Sequence, residues 1–326
     1  MGTPVSLLVV NFRSAALALD AIRSAREGTH NPLQVVVVDN SDEADALRGA
    51  ADVYVAMGRN AGYAAAINRG RKECDGEVIV AANPDVIFAR DAIDALAEAN
   101  AAVAGPALFW DDAHEWLLPP AELHTRSEVL GRSLATRSRA FARWRDRRRI
   151  RARIAFWSLT ETTPMRALSG AVMAIRASTF DDAGGLDERF PLYFEENDFL
   201  RRVRGDIVYV PSARVRHLYN QSAGESPEAA AFYALSEMAY LKKWGGLLWK
   251  RLEGRTPCAP TGRGARRAPV GELLVEISPL PDFETAAGTF TNIWPIALPK
   301  EIRAHTELYL RAVDRSTARV LAKIRA

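Results

Sequence analysis

The chain has 326 residues, 48% of them hydrophobic and 25% charged, and a formal net charge of +3. This composition excludes disordered, collagenous and coiled-coil classes, and the length suggests two domains at about 150 residues each. Cys74 and Cys258 cannot build a disulfide framework and have no metal spacing, which points to a reducing compartment.

Residues 5–10 form a short apolar, β-rich run, suited to a strand buried on both faces. Nothing before it has the basic and apolar regions of a signal peptide. No run approaches the roughly 18 apolar residues of a membrane span. A helix is expected over 15–27 with Ser14 as its N-cap. Strands follow at 34–38 and 53–55, the first closed by Asp39-Asn40-Ser41. The loop Gly58-Arg-Asn-Ala-Gly62 leads into a small-residue helix over 63–73. A strand at 77–81 ends at Asn83-Pro84-Asp85, a helix covers 90–100, and a further strand covers 103–109. Strands alternating with helices predict a mostly parallel sheet with helices on both faces. Ligands of such sheets sit beyond the carboxyl ends of the strands, where Asp39 and Asp85 fall. Each taken alone also reads as a turn residue.

Residues 111–167 break this rhythm. Between Arg126 and Arg153 there are eleven arginines against Glu128 and Asp146, interleaved with Leu130, Leu134, Phe141, Trp144 and Ile150. Such a segment suits anionic lipid headgroups or a diphosphate, or nucleic acid, or it is simply a solvated helix. Order returns with a strand at 168–175, a short helix to Ala183, a Gly184-Gly185 loop and a helix opening at Phe194-Glu195-Glu196-Asn-Asp198. Short extended pieces at 207–210 and 213–217 precede an amphipathic helix at 228–244. Residues 255–269 read as a linker. Beyond it, strands at 273–277, 307–313 and 317–324 form a β-rich appendix, too small for a free-standing core.

The ordered set Asp39-Asn40-Ser41, Arg59-Asn60-Ala-Gly62 through Asn68-Arg-Gly70, Asn83-Pro84-Asp85, Ser169-Gly170, Glu195-Glu196-Asn-Asp198 and His217 resembles that of family 2 glycosyltransferases of the rhamnosyltransferase-like branch. The resemblance spans roughly residues 5–244 and implies a GT-A fold, a Rossmann-like α/β sheet. It divides the chain into a glycosyltransferase domain at 1–252, a linker at 253–270 and a β-rich accessory segment at 271–326. The first domain then contains a nucleotide-binding half at 1–110, the basic insertion at 111–167 and an acceptor and catalytic half at 168–252.

The resemblance also implies roles. Asp39, Asn40, Asn60, Gly62, Asn68 and Asn83 would bind the nucleotide-sugar donor. Independently, N–H groups at the start of the helix after Gly62 would favour a diphosphate. Asp85 resembles the second acid of the family's metal motif, with Asn83 in place of the first, and His217 stands where a further ligand is often supplied. One carboxylate with diphosphate oxygens suits Mg²⁺ or Mn²⁺, and an imidazole shifts the preference towards Mn²⁺. Glu196 matches the general base, where the family more often has Asp. Glu195 would orient or bind acceptor, and Asp198 would hold the loop. Acids crowded at a helix start are also stabilised there by the dipole, while burial would raise their pKa towards that of a base.

The implied reaction is an inverting, metal-dependent transfer from dTDP-rhamnose or a UDP-sugar to a hydroxyl of a glycan or a lipid-diphosphate-linked saccharide in bacterial cell-surface polysaccharide synthesis. The alternative is a degenerate scaffold that binds sugar nucleotide or glycan. Trp116, Trp144, Arg147 and Arg148 are the candidate acceptor region. The expected location is cytoplasmic, with peripheral contact at the inner membrane. Near-neutral total charge and the lack of a nucleic-acid motif argue against nucleic acid as a partner. The oligomeric state stays open.

Overall fold

The computed structural model describes residues 2–218, 227–246, 248, 271–303 and 307–325. The expected linker and the boundary at 252 lie outside the described residues. In chain order the elements begin β1 (Val5–Asn11), α1 (Ala15–Gly28), β2 (Leu33–Asp39), α2 (Ala44–Leu47), β3 (Val53–Ala56) and α3 (Tyr63–Arg71). Next come β4 (Val78–Ala82), β5 (Val86–Phe88), α4 (Ala92–Glu98), β6 (Val103–Phe109), α5 (Arg126–Ala135) and α6 (Arg139–Trp157). Then follow β7 (Thr163–Pro164), β8 (Val172–Arg176), α7 (Ala177–Asp182), α8 (Glu195–Arg202), β9 (Ile207–His217) and α9 (Pro227–Trp244). The last strands are β10 (Leu273–Ser278), β11 (Ala287–Thr291), β12 (Tyr309–Asp314) and β13 (Arg319–Arg325).

The chain divides into two compact units. The larger comprises residues 1–108, 121–123 and 160–243. Its sheet has the order β3-β2-β1-β4-β8-β6-β9-β5, with β7 on β9. The half from β3 to β4 is parallel, and β4 with β8, and β9 with β5, pair antiparallel. Every residue of β1 is buried, as a strand covered on both faces requires. α1 buries Ala15, Ala18, Ala21, Ile22 and Ala25, a stripe at helical spacing. Ser14 does not cap this helix: its hydroxyl donates to Asn11 Oδ1 at 3.0 Å. β1 is flanked by β2 on one side and β4 on the other, so the chain order reverses there. The carboxyl ends of β1, β2 and β4 carry Asn11, Asp39 and the loop to Asp85, the crevice where α/β sheets bind ligands.

The smaller unit comprises residues 109–120, 124–159 and 244–326. The sequence sets the basic insertion and the β appendix apart, but the contacts join them. The four strands run β11-β10-β12-β13, all antiparallel. Ile150 and Trp157 of α6 share a core with Leu274 and Val313, and Trp157 Nε1 donates to Leu118 O at 2.9 Å. A Cβ on Gly288 would fall 2.3 Å from the Trp157 ring, so only glycine admits the indole there.

The basic insertion is also partly a structural device. Arg153 Nη1 lies 2.8 Å from Glu276 Oε1, and Arg311 Nε lies 2.6 Å from Glu276 Oε2. Arg311 also forks onto both oxygens of Asp146 at 3.0 Å. All four residues are buried. Burial alone would raise the pKa of Glu276, but the Arg311 and Arg153 guanidiniums outweigh it and hold the carboxyl below its ordinary value. Arg145 and Arg149 pair with Glu284 at 3.1 Å each, on the same side.

Candidate active site

Asp39 ends β2 and is fully buried. Its Oδ1 accepts from Asn11 Nδ2 and from the Ser41 amide, each at 2.9 Å, and from the Ser41 hydroxyl at 2.6 Å. Its Oδ2 accepts from the Glu43 amide at 2.9 Å and the Tyr54 hydroxyl at 2.8 Å. Burial pushes its pKa up, but these hydrogen bonds prevail and lower it to about 2. The carboxylate is thus saturated by its own chain and orders the loop at 40–43. Asn40 Nδ2 donates to Gly62 O at 3.1 Å, tying that loop to the start of α3. Two N–H groups of this helix start are already used. Gly62 N donates to Asn60 Oδ1 at 3.2 Å, and Tyr63 N donates to Pro191 O at 2.7 Å. The expected diphosphate cradle is therefore not an open set of amides.

Asp85 and His217 meet across the sheet. Antiparallel pairing of β5 and β9 sets Val86 opposite His217, and the amide of Leu218 donates to Asp85 O at 3.0 Å. His217 Nε2 lies 3.4 Å from Asp85 Oδ1, with side chains 15% and 1% exposed. A carboxylate and an imidazole converging at this distance are a donor set for a borderline divalent cation.

Glu195 and Glu196 open α8. The two residues before it, Tyr193 and Phe194, have φ of 67° and 70°. Left-handed backbone at two successive aromatic residues is strain of the kind that accumulates at functional sites. Glu195 is buried, and its Oε2 has no hydrogen-bond partner among the described residues. Burial, then the charge of Glu196, pushes its pKa well above the ordinary value. Glu196 is largely buried and its Oε1 accepts from Asn197 Nδ2 at 2.8 Å. Its pKa is raised too, burial being the cause. Gly170 makes room for this side chain, since a Cβ there would sit 3.3 Å from Glu196 Cγ. The Tyr63 hydroxyl is buried without a partner among the described residues. Its pKa is driven up by burial and then by the charges of Glu195, Glu196 and Asp85. One phenol therefore feels the charges of Asp85 and of both helix-start acids.

A family model described as glycosyl transferase family 2 matches residues 6–166. N-acetylglucosaminyl-diphospho-decaprenol L-rhamnosyltransferase from two strains of Mycobacterium tuberculosis is 30% identical over 226 residues, covering 61% of this chain and 71% of the relative. The chain belongs to glycosyl transferase family 2. It is accordingly a transferase, and its α/β sheet is the GT-A architecture expected from the sequence. Two solved structures resemble it at lower identity. GalNAc-T7 with UDP, GalNAc and Mn²⁺ has a TM-score of 0.48 and 15% identity, over 66% of this chain and 44% of that one. The chain thus spans under half the length of that structure. The mannosyltransferase PcManGT from Pyrobaculum calidifontis, in complex with GDP-Man and Mn²⁺, has a TM-score of 0.46 and 14% identity, over 77% of this chain and 74% of that one.

Other expected site residues of this family 2 glycosyltransferase have visible structural work. Asn68 clamps the loop before α8. Its Nδ2 donates to Leu186 O at 2.9 Å, and its Oδ1 accepts from Leu186 N at 2.8 Å. Asp198 is fully buried, 2.9 Å from Arg202 Nε and 2.6 Å from Lys243 Nζ, so it holds α8 in place. Asn83 is half-exposed, and its amide donates to Ala171 O at 2.8 Å. In the smaller unit Trp116 is 1% exposed, which makes it core and removes it as a surface contact. Trp144, Arg147 and Arg148 are exposed.

Tyr63 and Asn197 escape a reading by motif. The signal for Tyr63 is its place directly after Gly62 at a helix start, and for Asn197 its place directly after Glu196. A further grouping, His30, Asp91 and Asp94, brings one ligand atom each within 4.8 Å. It joins His30, just before β2 at the amino end of the parallel strands, to Asp91 and Asp94 at the start of α4, away from the crevice. Asp94 there accepts from the His30 amide at 2.9 Å and Asn31 Nδ2 at 2.8 Å, and it is also bonded by Thr29. It reads as a loop tie.

Proposed function

We propose that the protein is an inverting glycosyltransferase that moves a deoxyhexose from a nucleotide diphosphate to a hydroxyl of a lipid-diphosphate-linked N-acetylglucosaminyl acceptor. The observation that carries this reading is that Asp85, 3.4 Å from His217, and the helix-start acids Glu195 and Glu196 all raise the pKa of the buried Tyr63 hydroxyl. The sugar and acceptor classes are taken from the rhamnosyltransferase relative.

Asp85 and His217 would hold a divalent cation, Mn²⁺ by preference, leaving positions for diphosphate oxygens. Such an ion would offset charge on the departing nucleotide. Glu196 takes the proton of the acceptor hydroxyl, and Asn197 fixes the orientation of its carboxylate through Oε1. The attacking oxygen then bonds to the anomeric carbon as the bond to the diphosphate breaks, so one displacement inverts that centre. Glu195, with its raised pKa, retains a proton to higher pH and can donate it in a hydrogen bond to a sugar hydroxyl. Asp39, Asn40 and Asn60 order the loops that would receive the nucleoside. The test is incubation with dTDP-rhamnose or UDP-sugars and a lipid-diphosphate-linked N-acetylglucosamine. The reading expects product of inverted anomeric configuration, and retained configuration would refute it.

A further inference from the structure

α6 divides its arginines by face. Arg145, Arg149 and Arg153 turn inward and are paired with Glu128, Glu284 and Glu276. The exposed positions of the same helix are 139, 140, 143, 144, 147, 148, 151, 152 and 155. They hold only arginine, alanine and one tryptophan, and no acid. Arg139, Arg143, Arg147, Arg148 and Arg151 show no ion-pair partner among the described residues. From 139 to 151 the charges run along about 18 Å of helix at 1.5 Å per residue. They line an outward helix face, spread as an array that suits many anionic groups at once. Trp144 stands among them, 54% exposed, with the Arg148 guanidinium 5.7 Å from its ring centre. A tryptophan among arginines matches the headgroup layer of a bilayer, where indole rings concentrate and basic residues meet anionic lipid.

We infer that the outward face of α6 docks the protein on an anionic phospholipid surface, with Trp144 at headgroup depth. The inference does not depend on the reaction proposed above. No helix among the described residues is long and apolar enough to cross a membrane, and a surface contact needs none.

The test is co-sedimentation of the full chain with vesicles of phosphatidylcholine alone or mixed with phosphatidylglycerol. Binding is expected only to the mixed vesicles and should weaken as salt is raised. Each exposed arginine near an anionic surface is worth roughly fivefold in partitioning, so a combined Arg139→Glu, Arg143→Glu, Arg151→Glu variant should lose about a hundredfold or more. Trp144→Ala should weaken binding less. Thermal melting checks that the variants fold, and the corresponding Arg→Gln set replaces any that do not. Equal binding to both vesicle types, no binding, or unchanged binding by the folded charge variants would overturn the inference. Salt-dependent binding to duplex nucleic acid without vesicle binding would overturn it too, and would assign the face to that partner.

Discussion

His217 Nε2 lies 3.4 Å from Asp85 Oδ1, although 132 residues separate them in sequence, because β9 pairs with β5 and sets Val86 opposite His217. If this pair holds the cation, nucleotide binding must be metal-linked. A thermal-shift panel of UDP, dTDP, GDP and CDP should give one nucleotide whose stabilisation requires Mn²⁺. Asp85→Asn and His217→Ala should each remove the metal-dependent part. A shift unchanged by chelator would count against the pair.

The helix-start acids make a pH-dependent expectation. A general base must be ionised, and burial raises the pKa of Glu196 above that of an ordinary glutamate. The acid limb of activity should therefore lie above the ordinary glutamate range. Glu195→Gln should leave that limb in place, because Glu195 keeps its proton while Glu196 ionises and burial alone raises the Glu196 pKa. Stability should follow the same logic. Glu195 has a raised folded pKa, so its favourable contribution is complete below the ordinary value and is lost as pH rises through the folded one. Glu195→Gln stays neutral and should raise Tm at high pH but not in acid. A gain in Tm that is equal at all pH values would refute the burial account.

Gly62 has φ of +87°, and a Cβ there would sit 2.7 Å from Pro191 O. Gly62→Ala should cost about 1–3 kcal/mol, through left-handed strain and displacement of the loop before α8. Because Tyr63 N bonds the same carbonyl, transfer activity should fall along with stability. Urea unfolding and turnover of the same preparation measure both.

In the smaller unit Glu276 bridges two buried guanidiniums. Glu276→Gln leaves Arg153 and Arg311 short of a counter-charge and should destabilise the unit by about 3–5 kcal/mol. The denaturant midpoint reports it. A loss under 1 kcal/mol would mean that water or rearrangement relieves the charges.

Much of the larger unit was legible because its strands are continuous apolar runs and its helices alternate with them. β1, β2 and β4 lie within a residue or two of their expected ranges. β5 was not legible: three residues after a turn carry no periodicity, and only pairing with β9 makes them a strand. β9 itself runs unbroken through Pro211 and Ser212, where turn chemistry suggests two pieces. β11 was missed because Ala287 and Gly288 lack β-forming side chains, yet Gly288 is what admits Trp157. The insertion misled for a related reason. A count of arginines cannot reveal that Arg153 is answered by Glu276, 123 residues onward. The candidate site was legible as acids at strand and helix ends. The saturation of Asp39 by its own loop, and the convergence on Tyr63, are properties of the fold alone.

The most direct test is transfer from the matching nucleotide-sugar by Glu196→Gln beside the wild type, with nucleotide binding checked by thermal shift. The substitution keeps the shape and the contact with Asn197 but cannot take a proton. The account expects turnover to fall by about 10²–10⁴-fold with nucleotide binding retained. Turnover within tenfold of the wild type would contradict Glu196 as the base.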